Sequence, residues 1–180
     1  MFSVIINHKT SIRKRAKLGR YKTVLLWEIM KTMDLKLHTG LDDLILGVEK
    51  EVVEKLWGEP DEIEEMVEED GTLLVWHYDE KETSLSFDPI FENRLSGIAV
   101  SHEDLLFQGE KLMGKSESDV LALMESFGID DLEGEEMEEG EALFLSMQAG
   151  LTLFFDQNEL LEIKISPDFN EETEEVTWPK

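Results

Sequence analysis

The chain has no cysteine. This excludes disulfides, thiolate metal centres, a cysteine nucleophile and a cysteine-linked lipid anchor. No apolar run approaches the roughly 20 residues that a membrane-spanning helix requires, so no membrane partner is expected. Bases are scarce: 17 Lys and Arg stand against 42 Asp and Glu, for a net charge of −25 over 180 residues. The four histidines are His8, His38, His77 and His102, and no two lie at a metal-ligand spacing such as H-x3-H. No G-x-S-x-G, P-loop or dinucleotide fingerprint occurs. Carboxylates are so numerous that pairs of them arise by chance and do not mark an acid–base centre. The expectation is therefore no enzyme and no cofactor.

The few bases are unevenly placed. Residues 1–32 hold eight Lys or Arg and one acid, Glu28, for a net +7, which leaves −32 on residues 33–180. A body that acidic repels nucleic-acid phosphates and lipid headgroups and steers toward basic protein surfaces. The same charge also suits plain solubility in a crowded or salty cytoplasm; where it marks a partner, the expected partner is a protein, basic in character, with no nucleic acid and no membrane. The leader is basic and poor in acids, like a targeting sequence. Its apolar stretch Val24-Leu25-Leu26-Trp27 is cut short by Glu28, below the roughly 7–15 residues of a secretory core. Trp27-Glu28 implies purine-rich codons just upstream of Met33, so the leader reads as an over-extended start or a disordered arm. The chain is expected in the cytoplasm.

What the chain does have is an internal duplication. Gly47, Val53, Leu56, Leu85-Ser86-Phe87-Asp88, Ile98, Val100 and Ser101 are echoed by Gly114, Val120, Leu123, Leu153-Phe154-Phe155-Asp156, Ile163, Ile165 and Ser166. A repeat of this length marks a supersecondary unit that buries apolar surface against its twin. The expected organisation is a basic leader over 1–40, repeat 1 over 41–104, repeat 2 over 105–167 and an acidic tail over 168–180.

Each repeat is expected to open with a helix. In the second, Ser116 caps with Asp119 three residues on, Val120, Leu123, Met124 and Phe127 form one stripe, and Gly128 stops it. In the first, Val52, Val53, Leu56 and Trp57 form the stripe, with Gly58 as stop and Pro60 after it. The acidic stretches Asp61–Asp70 and Asp130–Glu141 lack the alternation and turn glycine of a calcium loop and read as solvated loops. Three strands follow in each copy, near 72–78, 83–88 and 94–101 and near 141–146, 150–156 and 159–166, with separations that suit antiparallel hairpins. The fold class expected is α+β: two tandem helix-plus-antiparallel-meander repeats forming one curved sheet with both helices on one face.

The face left open is where a partner would bind. Gln148-Ala149-Gly150 reads as a three-residue hairpin loop, which pairs Leu145 with Leu153 and Leu143 with Phe155 toward the helices. Alternation then sends Phe144 and Phe154 outward, and Trp76, the counterpart of Phe144, follows with Tyr78. Trp76, Tyr78, Phe144 and Phe154 are accordingly the expected partner-binding residues. An even-length loop would reverse the assignment.

The first repeat also resembles the SmpA/OmlA-type domain. The resemblance rests on Gly47-x5-Val53-x2-Leu56-Trp57-Gly58-Glu59-Pro60, Trp76-His77-Tyr78, Leu85-Ser86-Phe87-Asp88 and Arg94-Leu95, and the tandem arrangement is similar to the β-lactamase inhibitory protein superfamily. The resemblance covers about residues 41–167. It implies two α+β repeats whose concave sheet grips a protein, and no catalysis. It supplies no lipobox cysteine and no inhibitor disulfide, and it lends no partner-binding residue. The functional expectation is a non-catalytic protein-binding module, with an inhibitor or immunity-type role inside that class. Two alternatives stay open: an acidic nucleic-acid mimic that binds a basic protein, and a hydrolase with an unrecognised carboxylate site.

Overall fold

The computed structural model describes residues 33–68, 71–137, 140–170, 173 and 175–179. The basic leader over 1–32, with its expected disordered arm or mis-assigned start, lies outside the described residues. Three short strands come first, β1 (Met33–Lys36), β2 (Gly40–Leu41) and β3 (Leu44–Ile45), then helix α1 (Lys50–Trp57). The chain continues through β4 (Glu62–Glu68), β5 (Gly71–Tyr78), β6 (Thr83–Phe87), β7 (Leu95–Val100), β8 (Leu105–Phe107) and β9 (Glu110–Lys111). Helix α2 (Glu117–Ser126) precedes β10 (Glu133–Glu136), β11 (Glu141–Ser146), β12 (Leu151–Asp156) and β13 (Glu159–Ile165). A hairpin of β14 (Asp168–Asn170) and β15 (Glu175–Thr177) closes the described chain.

Capping chemistry sets both helices. Ser116 Oγ accepts from the Asp119 backbone N–H at 3.3 Å, and Gly128, at φ +83°, supplies the left-handed stop. α2 buries Val120 and Met124 completely. α1 buries Val53, sets the ring of Trp57 edge-on to Tyr78 at 5.2 Å, and ends at Gly58, φ +84°. Val52 and Leu56 of its expected stripe are exposed instead.

The eight-stranded antiparallel sheet has the order β10-β11-β12-β13-β7-β6-β5-β4. β13 and β7 meet at its centre, pairing Ile163 with Val100 and Ile165 with Ile98. The duplication extends to a defect. A register shift lies between Ser86 and Phe87 in the first half and between Phe154 and Phe155 in the second. The extra residues, Ser96 in β7 and Leu161 in β13, lie on the partner strands and bring buried Leu95 and Leu160 opposite the fully buried Phe87 and Phe155.

A second sheet of five short strands, β3-β2-β1-β8-β9, adds Leu35, Leu41, Leu44, Leu105 and Phe107 to the same hydrophobic core. Its β1 and β8 run parallel, with Leu35 opposite Phe107. The tail is anchored too. Phe91 lies edge-on to Phe169 at 5.8 Å and to Trp178 at 6.1 Å. The Trp178 indole packs on Gly47, where a Cβ would stand 2.6 Å from the ring.

The expected α+β class of two helix-plus-meander repeats is therefore corrected. The described chain is mostly β, its two helices span only 8 and 10 residues, and a whole second sheet, one pair of it parallel, was not foreseen. The acidic stretches expected as loops are the edge strands β4 and β10. Glutamate has low intrinsic strand preference, but an edge strand pairs on one side only, and acidic side chains there deter sheet-to-sheet association.

Candidate binding face

Loop parity decides which face of the large sheet is open. β11 and β12 are joined by Met147–Gly150, four residues, and the register sets Phe144 opposite Leu153 and Leu143 opposite Phe154. This differs by one residue from the register expected for a three-residue loop, and a one-residue slip exchanges the two faces. Cross-strand partners share a face, so Phe144, Leu153 and Phe155 turn toward the core. Leu143, Leu145, Thr152 and Phe154 turn away from it.

The expected outward set of Trp76, Tyr78, Phe144 and Phe154 is corrected accordingly. Trp76 and Tyr78 are each only 4 % exposed. Trp76 packs on Phe87 with ring centres 4.7 Å apart, and its indole N–H finds no acceptor among the described residues. Tyr78 donates its hydroxyl to the Gly58 carbonyl at 3.0 Å. Burial, with the carboxylates of Glu54 and Asp61 nearby, pushes its phenol up to about 12. Phe144 is half-buried and edge-on to Phe155 at 5.6 Å. Of the four, Phe154 alone lies on the open face.

That face can be built up from matched positions of the two halves. Toward the core, Leu85, Phe87, Ile98 and Val100 correspond to Leu153, Phe155, Ile163 and Ile165, and all eight are fully buried. Toward the open side, Ser84, Ser86, Gly97 and Ala99 correspond to Thr152, Phe154, Glu162 and Lys164. The first half is thus low and the second is raised, which makes a step across the sheet. His77, opposite Ser84, is on the low side of the same face but only 5 % exposed, with Nδ1 2.8 Å from Ser84 Oγ and Nε2 3.5 Å from a Glu64 carboxylate oxygen.

Lys164 bridges the step. Its Cε lies 3.1 Å from where a Cβ on Gly97 would be, as does Ser86 Cβ, so the bare glycine lets the lysine stem lie close across β7. Its ammonium has no acid partner among the described residues. Lys164 lines a groove of about 190 Å³ together with Ser86, Asp88, Ser96, Thr152, Ser166, Leu73 and Phe91. Phe91 is held by the aromatic contacts of the C-terminal hairpin described above. A larger hollow of about 380 Å³ at the start of α1 involves Lys50 and Arg94, but both are engaged. Lys50 lies over the Phe87 ring, and Arg94 pairs with Glu92 at 3.2 Å. Among the described residues no group of His, Asp or Glu side chains is placed to hold a metal ion. The groove and Lys164 were missed from the sequence, although their signal was present: the matched positions diverge on the open side only.

No family model and no curated protein matches the chain. Among the solved structures that align with it are two proteins described as extracellular or secretory. An extracellular protein containing a SCP domain, from Bacillus anthracis, aligns at 14 % identity over 75 % of this chain and 49 % of that one, with a TM-score of 0.45. A cysteine-rich secretory protein from Staphylococcus aureus aligns at 10 % identity over 73 % and 47 %, with a TM-score of 0.40. The chain spans about half the length of each, and at these scores neither assigns it to a family. The SmpA/OmlA-type resemblance is corrected. No model of that family matches, and the described chain forms an eight-stranded sheet beside a five-stranded one in place of two helix-plus-meander repeats. The residues that carried the resemblance serve local ends here: Gly47 seats Trp178, Gly58 ends α1, and Tyr78 ties α1 to β5.

Proposed function

We propose that the chain is a non-catalytic protein-binding module that engages its partner across the step on the open sheet face. One observation carries this reading: the duplicated halves keep their core-facing side chains and differ on the open face. A face needed only for solubility has no reason to hold half-buried Leu143, Leu145 and Phe154 on one side and a groove lined by Ser86, Ser96, Thr152 and Lys164 on the other. Apolar anchors beside a concavity are what interfaces concentrate. The surrounding acids add steering toward a basic partner. Placement in the cytoplasm belongs to the same proposal and is checked by cell fractionation.

The test is affinity capture on the immobilised full chain at physiological salt, run beside a Phe154→Lys variant of unchanged thermal stability. A protein retained by the parent and released by the variant is the expected outcome. Retention of none, or equal retention by both, refutes the reading.

A further inference from the structure

The two edges of the large sheet are both acidic but are not alike. β10 has four residues, among them Glu133, Glu135 and Glu136, and shows no large exposed apolar side chain. β4 has seven residues, of which four are glutamates, yet it exposes Ile63 to 51 % and Val67 to 85 %. Its outer side pairs with no strand among the described residues. Acids that served only to keep other sheets away would not leave the most exposed large apolar residue of the described chain between them.

We propose that β4 is a docking edge that accepts an added strand from a basic partner segment. This deepens the binding-module reading, on which it rests. The register defines the chemistry. Ile63, Glu65 and Val67 share the helix-side face, being opposite Trp76, Leu74 and Thr72, while Glu62, Glu64 and Met66 share the open face. An antiparallel newcomer therefore meets, in its own chain order, Val67, Met66, Glu65, Glu64, Ile63 and Glu62. The complementary strand reads apolar, apolar, basic, basic, apolar, basic. Main-chain bonds supply affinity in such strand addition, and alternate side chains supply selectivity. A second copy is a poor occupant, because its own β4 brings four more glutamates.

The probe is a dye-labelled, end-blocked peptide reading Thr-Val-Leu-Lys-Lys-Val-Lys-Thr, titrated by fluorescence anisotropy against the full chain. A peptide of the same composition with every second amide N-methylated is the control. We expect saturable binding that weakens as salt rises, is lost by the methylated peptide, and falls at least about tenfold in Val67→Lys and Ile63→Lys. Both positions are exposed, so folding is not at stake, and a Glu64→Gln variant should flatten the salt dependence. No binding of the probe, equal binding by the methylated control, or indifference to both Lys variants overturns the docking edge. Dimerisation of the chain that Val67→Lys abolishes would also overturn it, in favour of a second copy. Capture of a protein that depends on Phe154 and not on Val67 would leave the binding-module reading standing without this edge.

Discussion

Replacing Phe144 and Phe154 singly by alanine tests the face assignment. They lie on adjacent strands ten residues apart, and they should behave oppositely. Truncating a well-buried Phe costs about 3–5 kcal/mol. Phe144 is half-buried, but its ring stacks edge-on to the fully buried Phe155 and closes over Gly134. A loss of about 2–3 kcal/mol follows, which combines partial burial with an aromatic contact of about 1 kcal/mol. For a folded body of this size that is a fall of about 5–10 °C in Tm. Phe154 has only its open-face neighbours, with Leu143 directly opposite, and a cross-strand pair contributes about 0.2–1 kcal/mol. Phe154→Ala should lower Tm by no more than about 3 °C yet weaken partner capture, whereas Phe144→Ala should unfold earlier without losing the interface chemistry. Urea and thermal unfolding followed by circular dichroism measure both. If Phe154→Ala proves the more destabilising of the two, the register argument is wrong and the open face is not open.

Two further outcomes follow from the core. Tyr78 keeps its proton when folded up to about pH 12, while an unfolded tyrosine loses it near pH 10. Between those values the native state holds the extra proton, so stability falls as pH rises. The bare shift amounts to roughly 2.7 kcal/mol, about half of that after screening at the hydroxyl. Tyr78→Phe should cost about 1 kcal/mol at neutral pH through loss of the bond to Gly58 and should lack this alkaline fall. Urea midpoints at pH 8 and pH 11 in a Tyr21→Phe background check both, and parallel curves for the two chains refute the burial argument. Trp76→Phe removes a buried donor that has no acceptor among the described residues, a relief of about 1–3 kcal/mol that offsets the lost ring volume. Its stability should lie within about 1 kcal/mol of the parent, and a loss above about 3 kcal/mol, read from the same urea curves, would show that the indole N–H is satisfied after all.

The central strands were legible in the sequence because their signal is local. Leu85-Ser86-Phe87 and Leu153-Phe154-Phe155 alternate with period two, and the observed β6 and β12 stand within a residue of where that alternation predicts. What failed depended on single residues or on long range. One residue more in the 147–150 connection reverses a whole face, and Met147 carries no mark of turn or strand. β4 and β10 are acidic in a way that reads as loop, because nothing local announces that a sheet edge will hold them. The second sheet is built from strands of two to four residues, too short for a period, and its parallel pair joins Met33–Leu35 to Leu105–Phe107 across some seventy residues of chain. The family resemblance misled for a related reason: its motif residues fix a helix stop and a buried ring pair, and such local needs recur in unrelated sheets.

The groove also bears on what the functional unit is. Ser86 and Ser96 belong to the first half, Lys164 and Thr152 to the second, and the groove is lined from both, with the lysine of one half lying near Gly97 of the other. Neither half carries it alone: two copies of the first would pair a low face with a low face, and two copies of the second would set Lys164 against another raised strand. The matched positions of the two halves differ on the open side around the seam between β7 and β13, where a change in either half alters the shared surface. A Gly97→Val substitution would displace Lys164 from across β7 while leaving Ile98 and its neighbours in the core untouched. The groove is a property of the pair, and the binding-module reading proposed above needs both halves together.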